Sequence, residues 1–113
     1  MHISTKMIRL SHILNEWKAE EVLQQLGGNK FIAMTGAKSF VKNASKRALS
    51  FRVPRAKNGI NFVRILLTGS DLYTLEFYKA RGADIKLVSK KEGVYNDRLQ
   101  SVFTKETGLY TSL

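Results

Sequence analysis

The sequence predicts an α+β fold: an N-terminal helix, a four- to five-stranded antiparallel curved sheet and a C-terminal helix. Three observations predict it. Apolar residues recur at helical spacing near both ends of the chain. Between them, short runs alternate apolar with polar residues, the period of a strand with one buried face. The links between those runs are only a few residues long, which suits hairpins rather than parallel crossovers.

The elements follow in order. Residues 1–10 are polar and unpatterned and read as a flexible arm, and residues 11–113 as a single α+β domain. Ser11 can cap a helix over 11–26, whose apolar stripe is Ile13, Leu14, Trp17, Leu23 and Leu26. Gly27-Gly28 closes that helix. Phe31 to Thr35 reads as a short, fully buried strand, broken by Gly36, and Lys38 to Arg47 as a loop. Leu49, Phe51 and Val53 alternate with Ser50, Arg52 and Pro54, the pattern of a half-buried strand with proline at its end. Asn58-Gly59 is the strongest hairpin signal, with glycine at positive φ. Ile60 to Leu67 is the next strand and Thr68 to Asp71 a turn. Leu72 to Lys79 follows, with Tyr73, Leu75 and Phe77 on one face, and Ile85, Leu87 and Val88 mark a last strand. Gly93 opens a final helix with Tyr95, Leu99, Val102 and Phe103 as its stripe and Gly108 as its end cap.

Charge is distributed unevenly. The formal net charge is +10, yet no carboxylate lies between Val22 and Ser70, where Lys30, Lys38, Lys42, Lys46, Arg47, Arg52, Arg55, Lys57 and Arg64 stand. Mixed charges suffice for solubility, whereas a one-signed surface suits a polyanion such as a phosphate backbone. The candidate nucleic-acid contacts are Lys38, Lys42, Lys46, Arg47, Arg52, Arg55, Lys57 and Arg64. Phe40 and Tyr78, set among cations, are candidates for stacking on bases, as in single-strand binders. Phe51, Phe62 and Phe77 read as core residues.

Catalytic chemistry is weakly signalled. The chain has no Cys, so disulfides and thiolate sites are excluded. His2 and His12 make a poor metal pair, and the serines lack a plausible base. Gly27-Gly28-Asn29-Lys30 has the wrong spacing for a phosphate loop. Asp71 with Asp84-Ile85-Lys86 loosely matches a metal-dependent nuclease pattern, in which carboxylates hold a cation beside a lysine. No apolar run reaches the roughly 18 residues of a membrane span, and the start lacks the apolar core of a secretion signal, so a cytoplasmic setting is expected.

Three stretches carry a resemblance: LGGNKFIAMTGAKSF from Leu26, LSFRVPRAKNGI from Leu49 and GVYNDRLQSVFTKETGLYTSL from Gly93. Over about residues 22–113 the chain resembles short, uncharacterised proteins encoded by tailed phages and prophages. That resemblance implies a viral or mobile-element origin, with the cytoplasm of a host cell as the setting, and brings no catalytic residues. The order of hairpins followed by a helix is also similar, in topology alone, to the Whirly and transcriptional positive-cofactor folds, which bind single strands as oligomers.

The expected function is therefore a small, non-enzymatic phage accessory protein that binds nucleic acid, single-stranded DNA or RNA foremost, with no cofactor or metal and no membrane partner. Self-association is a further expectation. The alternative is a host-takeover or anti-defence protein that binds and inhibits a host protein, and a metal-dependent nuclease stands third.

Overall fold

The computed structural model describes residues 19–54, 56–68 and 72–111. The expected arm and the first half of the expected first helix lie outside these, as do Arg55 and Asp71. Helices α1 (Ala19–Leu26) and α2 (Gly28–Thr35) precede strands β1 (Lys38–Asn43), β2 (Ala48–Arg52), β3 (Phe62–Thr68), β4 (Leu72–Arg81) and β5 (Asp84–Tyr95), and helix α3 (Leu99–Thr107) follows. The strands form one open antiparallel sheet in the order β1-β2-β3-β4-β5.

The strand expected at Phe31 to Thr35 is instead α2, and the reason is local. Gly27 and Gly28, at φ 128 and 62, close α1 after Leu26 as expected, but the chain enters a second helix at once. Phe31 and Thr35, four residues apart, then point inward together, and the Thr35 hydroxyl donates to the Phe31 carbonyl at 2.7 Å. A five-residue apolar run fits a buried strand or a buried helix turn equally well. Gly36, expected to break a strand, caps the helix in the left-handed region, its N–H donating to the Ile32 carbonyl at 2.9 Å. The same device closes α3, where the Thr107 hydroxyl donates to the Phe103 carbonyl and Gly108 N–H to the Thr104 carbonyl.

The expected loop at Lys38 to Arg47 is strand β1 and a tight turn. Ser39 at φ 58 marks an irregularity in the β1 register, and Phe40 is the only half-buried residue of the strand, so no alternation betrays it. In the turn, the Asn43 carboxamide oxygen accepts from Ser45 and from the Lys46 amide. The Asn58-Gly59 turn is as expected, with φ 59 and 78 and the Ile60 amide donating to the Lys57 carbonyl at 3.2 Å. Gly93 does not open a helix. It lies within β5 at φ 66, where two β5 residues face Thr74 alone, so it is a bulge glycine. The last helix starts at Leu99, and Tyr95 is left exposed at the strand end.

All three helices cover the same face of the sheet. Ala19, Val22 and Leu26 of α1, Phe31 of α2, and Leu99 and Phe103 of α3 join Leu49, Phe51, Val63, Ile65, Tyr73, Leu75 and Phe77 in one apolar cluster. At its centre Phe31 meets Phe51 and Phe103 edge to face, with ring centroids 5.5 and 5.2 Å apart. Ser89 and Lys91 of β5 reach Glu106 of α3 at 2.6 and 3.8 Å and tie the helix to the sheet edge. Among the described residues no helix is long and apolar enough to cross a membrane.

Candidate nucleic-acid interface

Strand register decides which residues share the opposite, outer face. Lys38, Arg52, Phe62, Tyr78 and Leu87 are successive cross-strand partners, one row running across all five strands. The next row is Val41, Ser50, Arg64, Glu76 and Lys90. The apolar residues that the helices bury all join the cluster on the inner face. The outer rows keep exposed apolar groups, with Val41 60% and Leu87 50% exposed.

The first row begins in a basic cleft at one end of the sheet. Lys38, Arg52, Lys79 and Arg81 line it with Val53, Pro54, Gly59, Asn61 and Ala80, around about 550 Å³. No acid is among these residues. Two local features hold its shape. The Asn61 carboxamide donates to the Ala80 carbonyl at 2.9 Å and accepts from the Ala80 amide at 2.7 Å, fixing β4 against the start of β3. The Lys79 stem crosses Gly59, where a Cβ would stand 3.3 Å from Lys79 Cδ. Asp84 lies just beyond, opposite Arg81 across the β4–β5 turn, and lines a neighbouring pocket with Lys79, Arg81 and Lys86.

The sequence candidates are dispersed. Lys38 and Arg52 meet in the cleft as cross-strand partners. Lys57 is exposed on the turn at the foot of β3. Lys42 is 3.6 Å from Glu20 of α1, at the far end of β1. Lys46 is exposed in the β1–β2 turn, and Arg47, at φ 51, is half-buried there with its carbonyl accepting from Leu67. Arg55 lies outside the described residues. Phe40 turns inward, 5.3 Å from the Phe51 ring, and packs against the core. Lys79 and Arg81 escaped sequence reasoning because Glu76 and Asp84 are near them in sequence. The hairpin register brings both to the end of β2 instead.

Arg64 and Tyr78 belong to a network on the outer face. Arg64 Nε donates to Glu76 Oε1 at 2.9 Å, and Arg64 Nη2 donates to the Tyr78 hydroxyl at 3.1 Å. The Tyr78 hydroxyl donates to the same carboxylate oxygen at 2.7 Å. The guanidinium carbon also lies 5.8 Å from the Tyr78 ring centroid. Lys90 approaches the other oxygen of Glu76 at 4.0 Å and Glu92 at 3.3 Å. Partial desolvation pushes the Glu76 carboxyl up, but the hydrogen bonds from Tyr78 and Arg64 and the charges of Arg64 and Lys90 outweigh it and hold Glu76 below its ordinary value. Desolvation and the bond to Glu76 push the Tyr78 hydroxyl up. Partial desolvation works to lower the Arg64 pKa, but its bond to Glu76 and the nearby Tyr78 outweigh that and raise it. The Arg64 charge is thus largely compensated, unlike those of Lys38 and Arg52.

Among the described residues no group of three or more His, Cys, Asp or Glu side chains is placed to hold a metal. Asp84 and Lys86 share β5, with Lys86 paired opposite Lys79. Compared with protein-family models, curated proteins and solved structures, the chain matches none.

Proposed function

We propose that this chain is a non-catalytic nucleic-acid-binding protein whose basic cleft holds the phosphate backbone, acting as a small accessory protein of a phage or prophage. One observation carries the reading: Lys38, Arg52, Lys79 and Arg81, drawn from three strands, line one cleft without an acid among them. Four like charges repel one another, and folding brings them together with only Asp84, opposite Arg81, as an acid beside them among the described residues. An anionic ligand relieves that repulsion, and a sugar–phosphate backbone supplies several anions at a regular spacing and releases counterions on binding. The half-enclosed cleft favours a flexible single strand, which can bend into it, over a stiff duplex.

A second reading, a host protein as the partner, draws on a separate feature. Ile85, Leu87 and Val88 stand 57%, 50% and 36% exposed along β5, an edge strand with unpaired backbone groups. One experiment separates the two. The purified protein is assayed for co-purifying nucleic acid and titrated into labelled single- and double-stranded DNA and RNA. Tight binding to a strand supports the cleft. A single stoichiometric host protein with no strand binding rejects it.

A further inference from the structure

We propose that the Phe62–Tyr78 pair on the outer face is a seat for an unpaired nucleobase, and that Arg64 positions it rather than contacting phosphate. The inference rests on the nucleic-acid reading and specifies what that site takes. Phe62 reads in the sequence as core, yet its strand register turns it outward, next to Arg52 and opposite Tyr78. The two rings stand 5.9 Å apart at 62°, half-buried, on a face that none of the described helices covers.

The row places them where a base would arrive. Neighbouring strands lie about 4.8 Å apart, so Phe62 is one strand from Arg52 and Tyr78 two. A strand whose phosphate is held by Lys38 and Arg52 therefore directs its base along the row onto aromatic surface. The face of any base can stack on such a ring, and the stacking is sequence-tolerant. A duplex keeps its base faces inside the helix and gains nothing from this seat.

The network around Arg64 explains why that ring is ready for a base. Tyr78 is pinned at its hydroxyl by Glu76 at 2.7 Å and Arg64 at 3.1 Å, while Glu76 is itself held by Arg64 at 2.9 Å. A ring fixed before binding loses little freedom when a base stacks on it. Because Glu76 offsets its charge, Arg64 adds little to the pull on phosphate. Arg64 is a positioning residue, and its loss should alter the response to bases while leaving the response to salt.

The test compares a fluorescent oligothymidylate with an abasic deoxyribose-phosphate strand of equal length, each across a salt series. The wild-type protein should bind the base-bearing strand roughly 5- to 150-fold more tightly, the range for stacking on one aromatic side chain. Tyr78→Ala should close that gap with the salt slope unchanged, and Arg64→Leu should narrow it with the slope again unchanged. Phe62→Leu, which keeps apolar bulk but removes the ring, should narrow the gap even if Phe62→Ala fails to fold. Equal binding of both strands by the wild-type protein would overturn the base seat and leave the nucleic-acid reading standing. A shallower salt slope in Arg64→Leu would overturn the positioning role. Binding to neither strand would reject both.

Discussion

Phe31 is the residue whose replacement probes the fold most sharply. It is fully buried in α2 and is the meeting point of three elements, with Phe51 of β2 and Phe103 of α3 both edge to face against it. Truncating a buried Phe to Ala costs about 3–5 kcal/mol through lost transfer energy and the cavity left behind. Two edge-to-face contacts, each about 0.5–1.5 kcal/mol beyond area, place Phe31→Ala toward the upper end of that range. A chain of this size has roughly 6–17 kcal/mol in total at about 0.05–0.15 kcal/mol per residue. The variant should therefore lose a quarter or more of its stability, and at ~4 °C per kcal/mol its Tm should fall by roughly 15–20 °C. Urea denaturation followed by circular dichroism reads this directly, with the slope in urea unchanged if the native state stays compact. The exposed neighbour Ala33 supplies a control for helix against strand. Ala33→Val should cost about 0.5 kcal/mol in a helix interior and should instead gain stability in a strand. A loss below about 1 kcal/mol for Phe31→Ala, the range of a tolerated substitution, would refute the seating of α2 against β2.

Three further outcomes are expected. Gly59→Val should destabilise by roughly 1–3 kcal/mol, because a branched residue is strained at φ 78 and its Cβ meets the Lys79 stem; an unchanged melting temperature would contradict the turn. Glu76 has a carboxyl pKa lowered from 4.5, so its contribution to stability is present above that value and fades as pH falls through the lower folded-state value. Below pH 4.5 the Glu76→Gln variant should lose less stability with falling pH than the wild-type protein, and parallel acid titrations monitored by circular dichroism would disprove the network. Reversing Lys38 and Arg52 to Glu should weaken strand binding more than reversing Lys90 and Lys91, which already face Glu76, Glu92 and Glu106 at 4.0, 3.3 and 3.8 Å; equal losses in anisotropy titrations would mean that only total charge counts.

The parts of the fold legible in the sequence are those with a period or a turn residue of their own. Leu49, Phe51 and Val53 face inward as their alternation implies, and so do Tyr73, Leu75 and Phe77. Asn58-Gly59 makes the expected turn, and Leu99 and Phe103 are buried on the last helix. Strand β1 gives no such signal, because it borders the sheet with five of its six residues exposed. Helix α2 has one turn of apolar residues, too few to separate its period from a strand's. Gly93 is ambiguous for another reason: left-handed glycine serves helix ends and bulges alike. For the candidate site, the absence of acids between Val22 and Ser70 marks Lys38 and Arg52 only as two among eight candidate cations. Charge pattern carries no register. Register brings Lys79 and Arg81 to Arg52, turns Phe62 outward, and sets Glu76 beside Arg64.

Phosphate held by the cleft cations must show in the slope of log K against log salt. If Lys38, Arg52, Lys79 and Arg81 each neutralise one phosphate of a single strand, the slope should be roughly −3 at about 0.7 per contact. Replacing Lys38 and Arg52 together with Ala should halve it, to roughly −1.4, while Lys90→Ala with Lys91→Ala should leave it nearly unchanged. A slope that the Lys38 and Arg52 replacements do not move, or one that is flat in the wild-type protein, would mean that the cleft does not hold the strand.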